Sequence, residues 1–355
     1  MVQGNKLRVI QWATGNVGTR AMRSVVEHPG MELVGLWVSN PDKVGLDAAR
    51  LVERDVGYQG TCPDTGVIAT CDAAALIATP ADCVVYMRQG TDYDEVARIL
   101  ASGKNVVTTT GEFHHPASMD PAIRAQIEAA CQAGGTSLYD TGSSPGFITE
   151  ALPIQLLSLS RRLDCLTIDE FADVSSRNSP EMLFNIMGYN SPSMDFDQSR
   201  AGHLKDHFAT SMAQLADAHG IVIDAWEAFG AYSPALNGVD MAAGRVEAGH
   251  TAAQRVTIQG LRDGKPVLKM RLNWYCTRDI ADADWDLRES GWRVQVEGDT
   301  PLDVQITYPA MSLADYAAFT PGLTAHRPVN AIPAICAAPP GIRTTADLPQ
   351  VFARL

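Results

Sequence analysis

The stretch LRVIQWATGNVG, residues 7–18, decides the fold of this 355-residue chain. Its apolar first half predicts a buried strand over 7–12, and ATGNVG is a tight turn with the spacing A-x-G-x-x-G. A predicted helix over 19–28 and a second predicted strand over 31–38 follow the turn. In such a unit the bare amides at the helix N-terminus bind the diphosphate of a dinucleotide. The predicted contacts are Thr14, Gly15, Asn16, Val17 and Gly18.

The segment after the second strand predicts which dinucleotide binds. NAD sites usually carry Asp or Glu about 20 residues beyond the glycine turn, where the acid bonds the ribose 2′-hydroxyl. Here Ser39, Asn40 and Lys43 stand in that region instead. A cation with polar donors would hold a 2′-phosphate, which a carboxylate repels. We therefore expect NADP(H) to be preferred over NAD(H).

The bulk composition argues against several classes of partner. With 41 acidic and 28 basic residues the formal net charge is −13, so neither nucleic acid nor an anionic membrane is an expected partner. There is no run of 18 apolar residues, and residues 1–6 lack a signal-peptide core. The seven cysteines are scattered, form no C-x-x-C pair and are typical of reduced thiols. These features predict a cytoplasmic protein.

The alternation of strands and helices predicts an α/β fold with two domains. Up to about residue 148, short apolar strands alternate with helices, as in a doubly wound parallel (Rossmann) sheet. Later runs of period two, joined by short turns, predict an α+β domain on a mainly antiparallel sheet with one covered face. The apolar stretch 328–338 is expected to be helical. The predicted domains are a dinucleotide-binding domain over 1–148, to which 328–355 returns, and a substrate and dimerisation domain over 149–327.

Loops at the carboxyl ends of the first sheet's strands are expected to meet the ligand. They supply four further predicted cofactor contacts: Arg88, Gly90, Thr110 and Gly111. Glu112 follows directly, and we expect it to project into the cleft between the domains, where apolar surroundings would suit it to acid–base chemistry. A solvated loop glutamate is the alternative. His114 and His115 either shape this loop or take part in catalysis.

The predicted substrate pocket is apolar. The crossover 141–147 ends in Phe147, which is expected to stack near the cofactor or to line the pocket. Met182, Phe184 and Trp274 are the other predicted lining residues, with a place in the core as the alternative for Trp274. His203 and His207 are spaced i, i+4 in a predicted helix, but no third ligand motif lies near them, and no metal site is predicted.

Five stretches together resemble the dihydrodipicolinate-reductase-like oxidoreductases, and more closely the branch of 2,4-diaminopentanoate dehydrogenase and the native amine dehydrogenases. They are residues 12–18, 108–112, 141–147, 329–334 and 338–342, and they spread over nearly the whole chain. The resemblance implies reduction of a carbon–nitrogen double bond by NAD(P)H, with Glu112 as the acid–base residue. Ser144, where relatives often have asparagine, and Asn330 are the remaining cofactor contacts that it implies.

We therefore expect reductive amination of small ketones or aldehydes with ammonia, and the reverse oxidative deamination. One alternative is a diamino-acid dehydrogenase, or a reductase of another C=N or C=C substrate of the same fold. An alternative of another class is a non-catalytic NADP(H)-binding sensor, which would not need the carboxylate of Glu112. The strand-rich second domain would suit a homodimer.

Overall fold

The computed structural model describes residues 6–55, 58–192, 195–309 and 311–354. The signal-peptide prediction rests largely on residues 1–5, which lie outside these ranges. The chain divides into two compact units, Met1–Glu150 with Met311–Leu355, and Ala151–Ala310. Across the described residues, none of the helices reaches the length and apolarity that a membrane crossing requires.

A six-stranded parallel sheet is the centre of the first unit. Its strands are β1 (Leu7–Trp12), β2 (Met31–Trp37), β3 (Cys83–Tyr86), β4 (Asn105–Thr108), β5 (Ser137–Asp140) and β14 (Gly341–Arg343). They lie in the order β14-β5-β4-β3-β1-β2 and pair in parallel throughout. Because the strand order reverses between β1 and β3, their carboxyl ends form the crevice in which ligands bind in such sheets.

Helices cover both faces of this sheet. They are α1 (Asn16–Glu27), α2 (Ala48–Val52), α3 (Ala73–Ala78), α4 (Tyr93–Ala101), α5 (Pro121–Gly134) and α8 (Leu313–Cys336). Successive strand residues point to opposite faces, so Val85 lies in one core with α1 and α8, and Val84 lies in the other with α4 and α5. The strands are therefore nearly all apolar, as strands buried on both faces must be.

Helix α1 begins at Asn16, so the prediction of a start at Thr19 was wrong. Gly15 is extended, at φ −72° and ψ −170°, and serves as the N-cap. Asn16, Val17 and Gly18, expected in the turn, form the first helical turn instead. Backbone amides at that turn have no partner inside the helix and are available to an anion.

Helix α8 begins at Leu313, fifteen residues before the predicted helix, although Pro321, Pro328 and Pro333 lie inside it. Each proline removes one backbone hydrogen bond and would end an isolated helix. Here the helix packs against α1, β3, β4 and β5, with Val329, Ile332 and Ile335 fully buried. Burial of this face outweighs the local cost of the prolines.

The second unit contains a six-stranded sheet of the order β13-β12-β6-β11-β10-β7. Its strands are β6 (Leu163–Asp173), β7 (Ala225–Pro234), β10 (Thr251–Arg262), β11 (Lys265–Tyr275), β12 (Gly291–Gly298) and β13 (Leu302–Thr307). The unit also contains a separate hairpin of β8 (Val239–Met241) and β9 (Gly244–Val246). Its helices are α6 (Leu152–Leu157) and α7 (Gln198–Ala218). The pairs are antiparallel except β6 with β11. The predicted fold class is confirmed.

Candidate active site

The glycine turn after β1 combines a left-handed residue, Ala13, with a close approach of helix α1 to the turn backbone at Gly18. Ala13 has φ +74°, the left-handed conformation that the first glycine of this motif would adopt without strain. An ideal Cβ on Gly18 would lie 2.4 Å from the carbonyl oxygen of Ala13, so α1 is pressed against the turn. An ideal Cβ on Gly15 meets no atom within 4 Å in the described structure. Gly15 therefore leaves open space in front of the helix.

That space continues into a cavity of about 230 Å³ with a basic lining. Lys43 Nζ donates to the carbonyl and the hydroxyl of Thr14 at 2.8 and 3.0 Å. Burial and the charge of Arg54 lower the pKa of Lys43. Arg20, also in the lining, lies 3.2 Å from the carboxylate of Asp55. Bare amides and cations around one cavity fit the phosphates of a dinucleotide.

The structure brings Thr14, Gly15, Asn16 and Lys43 to this cavity, together with Arg54, which sequence reasoning missed. Ser39 and Asn40 lie exposed just after β2, and the Asn40 side-chain oxygen accepts from the amide of Asp42 at 2.9 Å. Arg54 follows α2 and therefore lies beyond the segment directly after β2, where the contact with a 2′-phosphate was predicted. No local sequence pattern indicates that it reaches the cavity.

The loop after β3 is held by a buried carboxylate. Glu95, 4% exposed, accepts from Trp12 Nε1 and Tyr86 Oη at 3.0 Å and from Arg88 at 3.1 Å. The guanidinium of Arg88 also lies over the Trp37 ring, 5.6 Å from its centroid. The cation is thereby fixed at the carboxyl edge of the sheet, beside Gly90 at φ +74°.

Three buried polar atoms at this edge have no hydrogen-bond partner among the described residues. They are Trp37 Nε1 at the end of β2, Thr91 Oγ1 after β3 and Ser144 Oγ after β5. Buried polar groups in folded proteins are nearly always paired. Unpaired atoms at the ends of β2, β3 and β5 fit a polar ligand that lies across the carboxyl ends of the strands.

Glu112 lies in the loop after β4, exposed between the buried residues Gly111 and Phe113. The hydroxyl of Tyr93, at the start of α4, hydrogen bonds to its carboxylate. Burial, together with this bond and the charge of Glu112, raises the pKa of Tyr93 to about 12. The Tyr93 ring also meets Phe113 edge to face, with centroids 6.1 Å apart. Sequence reasoning missed Tyr93 because it belongs to another element, helix α4.

His114 is buried in an ion cluster beneath this loop. Its Nδ1 lies 2.6 Å from Glu150 Oε1, and its Nε2 lies 3.8 Å from Asp140 Oδ1. Burial alone would lower the pKa of His114, but the charges of Glu150 and Asp140 outweigh it and raise that pKa to about 9. His115 instead meets the hydroxyl of Ser118 at 2.6 Å. The two neighbouring carboxylates therefore hold His114 in its charged form.

Two other predicted cofactor contacts are Thr110, in the loop after β4, and Asn330, on helix α8. The amide of Thr110 donates to Thr108 Oγ1 at 3.3 Å, next to Gly111 at φ +88°. Asn330, on α8, lines a cavity of about 460 Å³ with Leu348 and other residues of the C-terminal segment. The structure thus places Asn330 away from the cavity at the glycine turn, and its contact with a cofactor stays a prediction.

The predicted pocket residues fall into both units. Phe147 belongs to the first unit, where Arg327 lies over its ring at 5.7 Å. In the second unit Met182 is exposed, and Phe184 and Trp274 pack at the edge of an apolar core. Trp274 Nε1 donates to Glu170 at 3.4 Å. Their role in substrate binding stays a prediction.

His203 and His207 are exposed on α7. Among the described residues no three or more His, Cys, Asp or Glu side chains are grouped so that they could hold a metal ion.

Comparison with known proteins places this geometry among oxidoreductases. No family model matches the chain. An amine dehydrogenase from Streptomyces virginiae is 28% identical, over 97% of this chain and 96% of that protein. The structure of an amine dehydrogenase from Mycobacterium smegmatis matches with a TM-score of 0.69 at 20% identity, covering 100% of this chain and 99% of that one. A myo-inositol dehydrogenase from Lactobacillus casei, solved with NAD(H) and myo-inositol, matches with a TM-score of 0.53 at 14% identity, covering 96% and 90%.

The sequence relationship extends over almost all of both chains, and the fold agrees with it. The predicted resemblance is thereby confirmed: the chain is a homologue of an amine dehydrogenase and has the two-unit fold of NAD(P)-dependent oxidoreductases.

Proposed function

We propose that this protein is an NADP(H)-dependent amine dehydrogenase that aminates small apolar ketones or aldehydes with ammonia and catalyses the reverse deamination. One observation carries the proposal. In a chain related to an amine dehydrogenase over nearly its whole length, an exposed carboxylate, Glu112, stands at the carboxyl end of the parallel sheet that also holds the glycine turn.

The carboxylate of Glu112 suits three tasks in this reaction. It binds ammonium and takes one proton, which frees the nitrogen lone pair to attack the carbonyl carbon. It then returns that proton to the hydroxyl of the carbinolamine, which leaves as water and gives an iminium ion. The negative charge of the carboxylate stabilises this cation. A bound nicotinamide supplies the hydride that completes the amine.

Tyr93 orients the carboxylate of Glu112. The hydrogen bond from its hydroxyl restricts that side chain to one orientation, so that less conformational entropy is lost when the acid is positioned for reaction.

The preference for NADP(H) rests on Lys43 and Arg54. Both cations line the cavity at the glycine turn, and the carboxylate of Asp55 in the same lining is paired with Arg20. The segment directly after β2 lacks the acid that is usual in an NAD site. A charge-assisted bond to phosphate contributes about 1.5–3 kcal/mol, or roughly 10- to 100-fold in affinity. Wild-type protein should therefore have the lower KM for NADPH, and Arg54→Gln should raise that KM while leaving the KM for NADH nearly unchanged. Equal KM values for both cofactors in the wild type would contradict the preference.

The proposed homodimer uses the polar face of the larger sheet in the second unit. Strand pairing aligns Phe229, Thr257, Arg271, Asp169 and Arg293 in one row across this face. Phe229 is 48% exposed there, and Asp169 is buried beside Arg271 with 2.5 Å between their charged atoms. We expect light scattering to give twice the 38.1 kDa of one chain, and Phe229→Asp to give that mass once. A wild-type monomer would contradict this proposal.

The activity itself is tested by NADPH oxidation with a panel of small ketones and aldehydes, each with and without ammonium. The proposal predicts turnover that requires ammonium and is faster with apolar carbonyls than with α-keto acids. Turnover without ammonium would indicate a carbonyl reductase. Binding of NADPH without turnover on any carbonyl would favour the sensor.

A further inference from the structure

We propose that His114 is a positioning residue, whose buried ion cluster with Asp140 and Glu150 holds the loop that presents Glu112. The inference rests on the proposed role of Glu112. His114 touches no reacting atom in this account; it acts through the backbone of its own loop.

The carboxylate of Asp140 faces backbone amides of the loop on both sides of Glu112. Its Oδ2 accepts from the amide of Phe113 at 3.0 Å. Burial raises the pKa of Asp140, and the nearby amides of Phe113 and Gly111 oppose that shift. Asp140 is 1% exposed and ends β5, so it is fixed by the sheet. A buried carboxylate that faces the amides on both sides of Glu112 leaves this residue little freedom of position.

The positive charge of His114 compensates the negative charges of Asp140 and Glu150. Asp140 and Glu150 are both about 1% exposed, and two buried carboxylates near each other repel. The imidazolium of His114 lies 2.6 Å from one and 3.8 Å from the other. Without its charge, one carboxylate would take up a proton or move toward water, and the hydrogen bonds to the loop would weaken.

The cluster is anchored to distant parts of the first unit. The hydroxyl of Thr345 donates to Glu150 and lies 3.0 Å from the Tyr139 hydroxyl. Arg327, on α8, donates to Thr141 Oγ1 at 3.1 Å. The charged and titratable groups around His114 are therefore Asp140 and Tyr139 of β5, Glu150, Arg327 and, on its own loop, Glu112. The cluster connects the loop to β5, to the segment before α6 and to the C-terminal segment.

The test uses the full chain and measures the loop and the reaction separately. His114→Asn is compared with His28→Asn, in which the changed histidine lies beyond the other end of α1 and accepts from the amide of Gly30. We expect faster amide hydrogen exchange over 109–115 in His114→Asn, but not over 121–134 in α5. We also expect kcat to fall by on the order of 10- to 100-fold. The Kd for NADPH should rise by much less than kcat falls, because the phosphate cavity is unchanged and only the contacts of Thr110 and Gly111 lie in the loosened loop.

Wild-type protein gives a second measurement should His114→Asn fail to fold. Since the pKa of His114 is raised to about 9, the imidazolium is lost above that pH. After correction for intrinsic rates, protection over 109–115 should fall between pH 8 and pH 10 more than protection over 121–134. Unchanged protection in the variant, unchanged protection at pH 10, or unchanged kcat with a loosened loop would each overturn the proposal. A loosened loop alongside a fully active Glu112→Gln would instead count against the proposed function.

Discussion

Ala13, Gly15 and Gly18 show how single atoms shape the dinucleotide site. The sequence showed that Ala13 replaces the usual first glycine, and the structure shows the consequence, a non-glycine residue at φ +74°. Such a conformation costs an alanine about 1–2 kcal/mol. The turn keeps it because Gly18 leaves room for the Ala13 carbonyl, and Gly15 leaves room for the ligand.

This difference between the two glycines gives a matched pair of variants. Gly15→Ala meets open space, so it should fold with wild-type stability and raise the Kd for NADPH by about tenfold or more, because the new methyl occupies the place of the diphosphate. Gly18→Ala places a Cβ 2.4 Å from the Ala13 oxygen and should lower the free energy of unfolding by about 1–3 kcal/mol. Urea unfolding and NADPH titration separate the two effects. Equal losses of stability in both variants would contradict this account of the turn.

At Tyr93 a single hydroxyl is predicted to orient Glu112. Tyr93→Phe removes the bond to the carboxylate and keeps the ring that packs on Phe113. We expect kcat to fall by roughly threefold to tenfold, in keeping with about 0.5–1.5 kcal/mol for one typical hydrogen bond. A kcat equal to that of wild type would show that Tyr93 only packs.

At the scale of elements, local and long-range signals differ in how far they predict the structure. Strands β1 and β2 were predicted within one residue, because strand periodicity and glycine or proline punctuation are local. Helix α8 was predicted at less than half its length, because its internal prolines argue locally against it and only its packing explains it. The cluster of His114, Asp140 and Glu150 joins elements far apart in sequence, which no local pattern indicates.

That cluster makes a prediction about stability and pH. The pKa of His114 is raised from its ordinary 6.5 to about 9 on folding. The folded state therefore binds the proton more tightly, and this stabilisation is complete below pH 6.5 and is lost as pH rises through 9. Urea unfolding should show the free energy of unfolding of wild type falling between pH 6.5 and pH 9.5. The free energy of unfolding of His114→Asn should fall less over the same range. An identical fall in both proteins would contradict the raised pKa of His114.

At the scale of the whole molecule, the fold class and the sheet edge that carries the candidate site followed from sequence, whereas many of the residues that support this site did not. A strand–turn–helix unit at the start and a carboxylate after β4 were sufficient to predict that the glycine turn and Glu112 lie at one edge of one sheet. Their roles toward a cofactor and a substrate stay predictions. Arg54, Tyr93 and Glu95 were missed because each reaches the site from an element whose local sequence carries no sign of it. These three hold charge or hydrogen bonds, and such partners become visible only when the chain is folded.

The central claim is that Glu112 moves the protons of reductive amination, and one comparison tests it most directly. We would measure ammonium-dependent NADPH oxidation by Glu112→Gln beside Asp94→Asn, which changes an exposed carboxylate of α4 that accepts from Gln126. The account predicts that Glu112→Gln loses at least about 100-fold in kcat, the usual contribution of a general acid–base, with an unchanged Kd for NADPH. Asp94→Asn should match wild type. A Glu112→Gln enzyme that retains more than about a tenth of the wild-type kcat would contradict the claim.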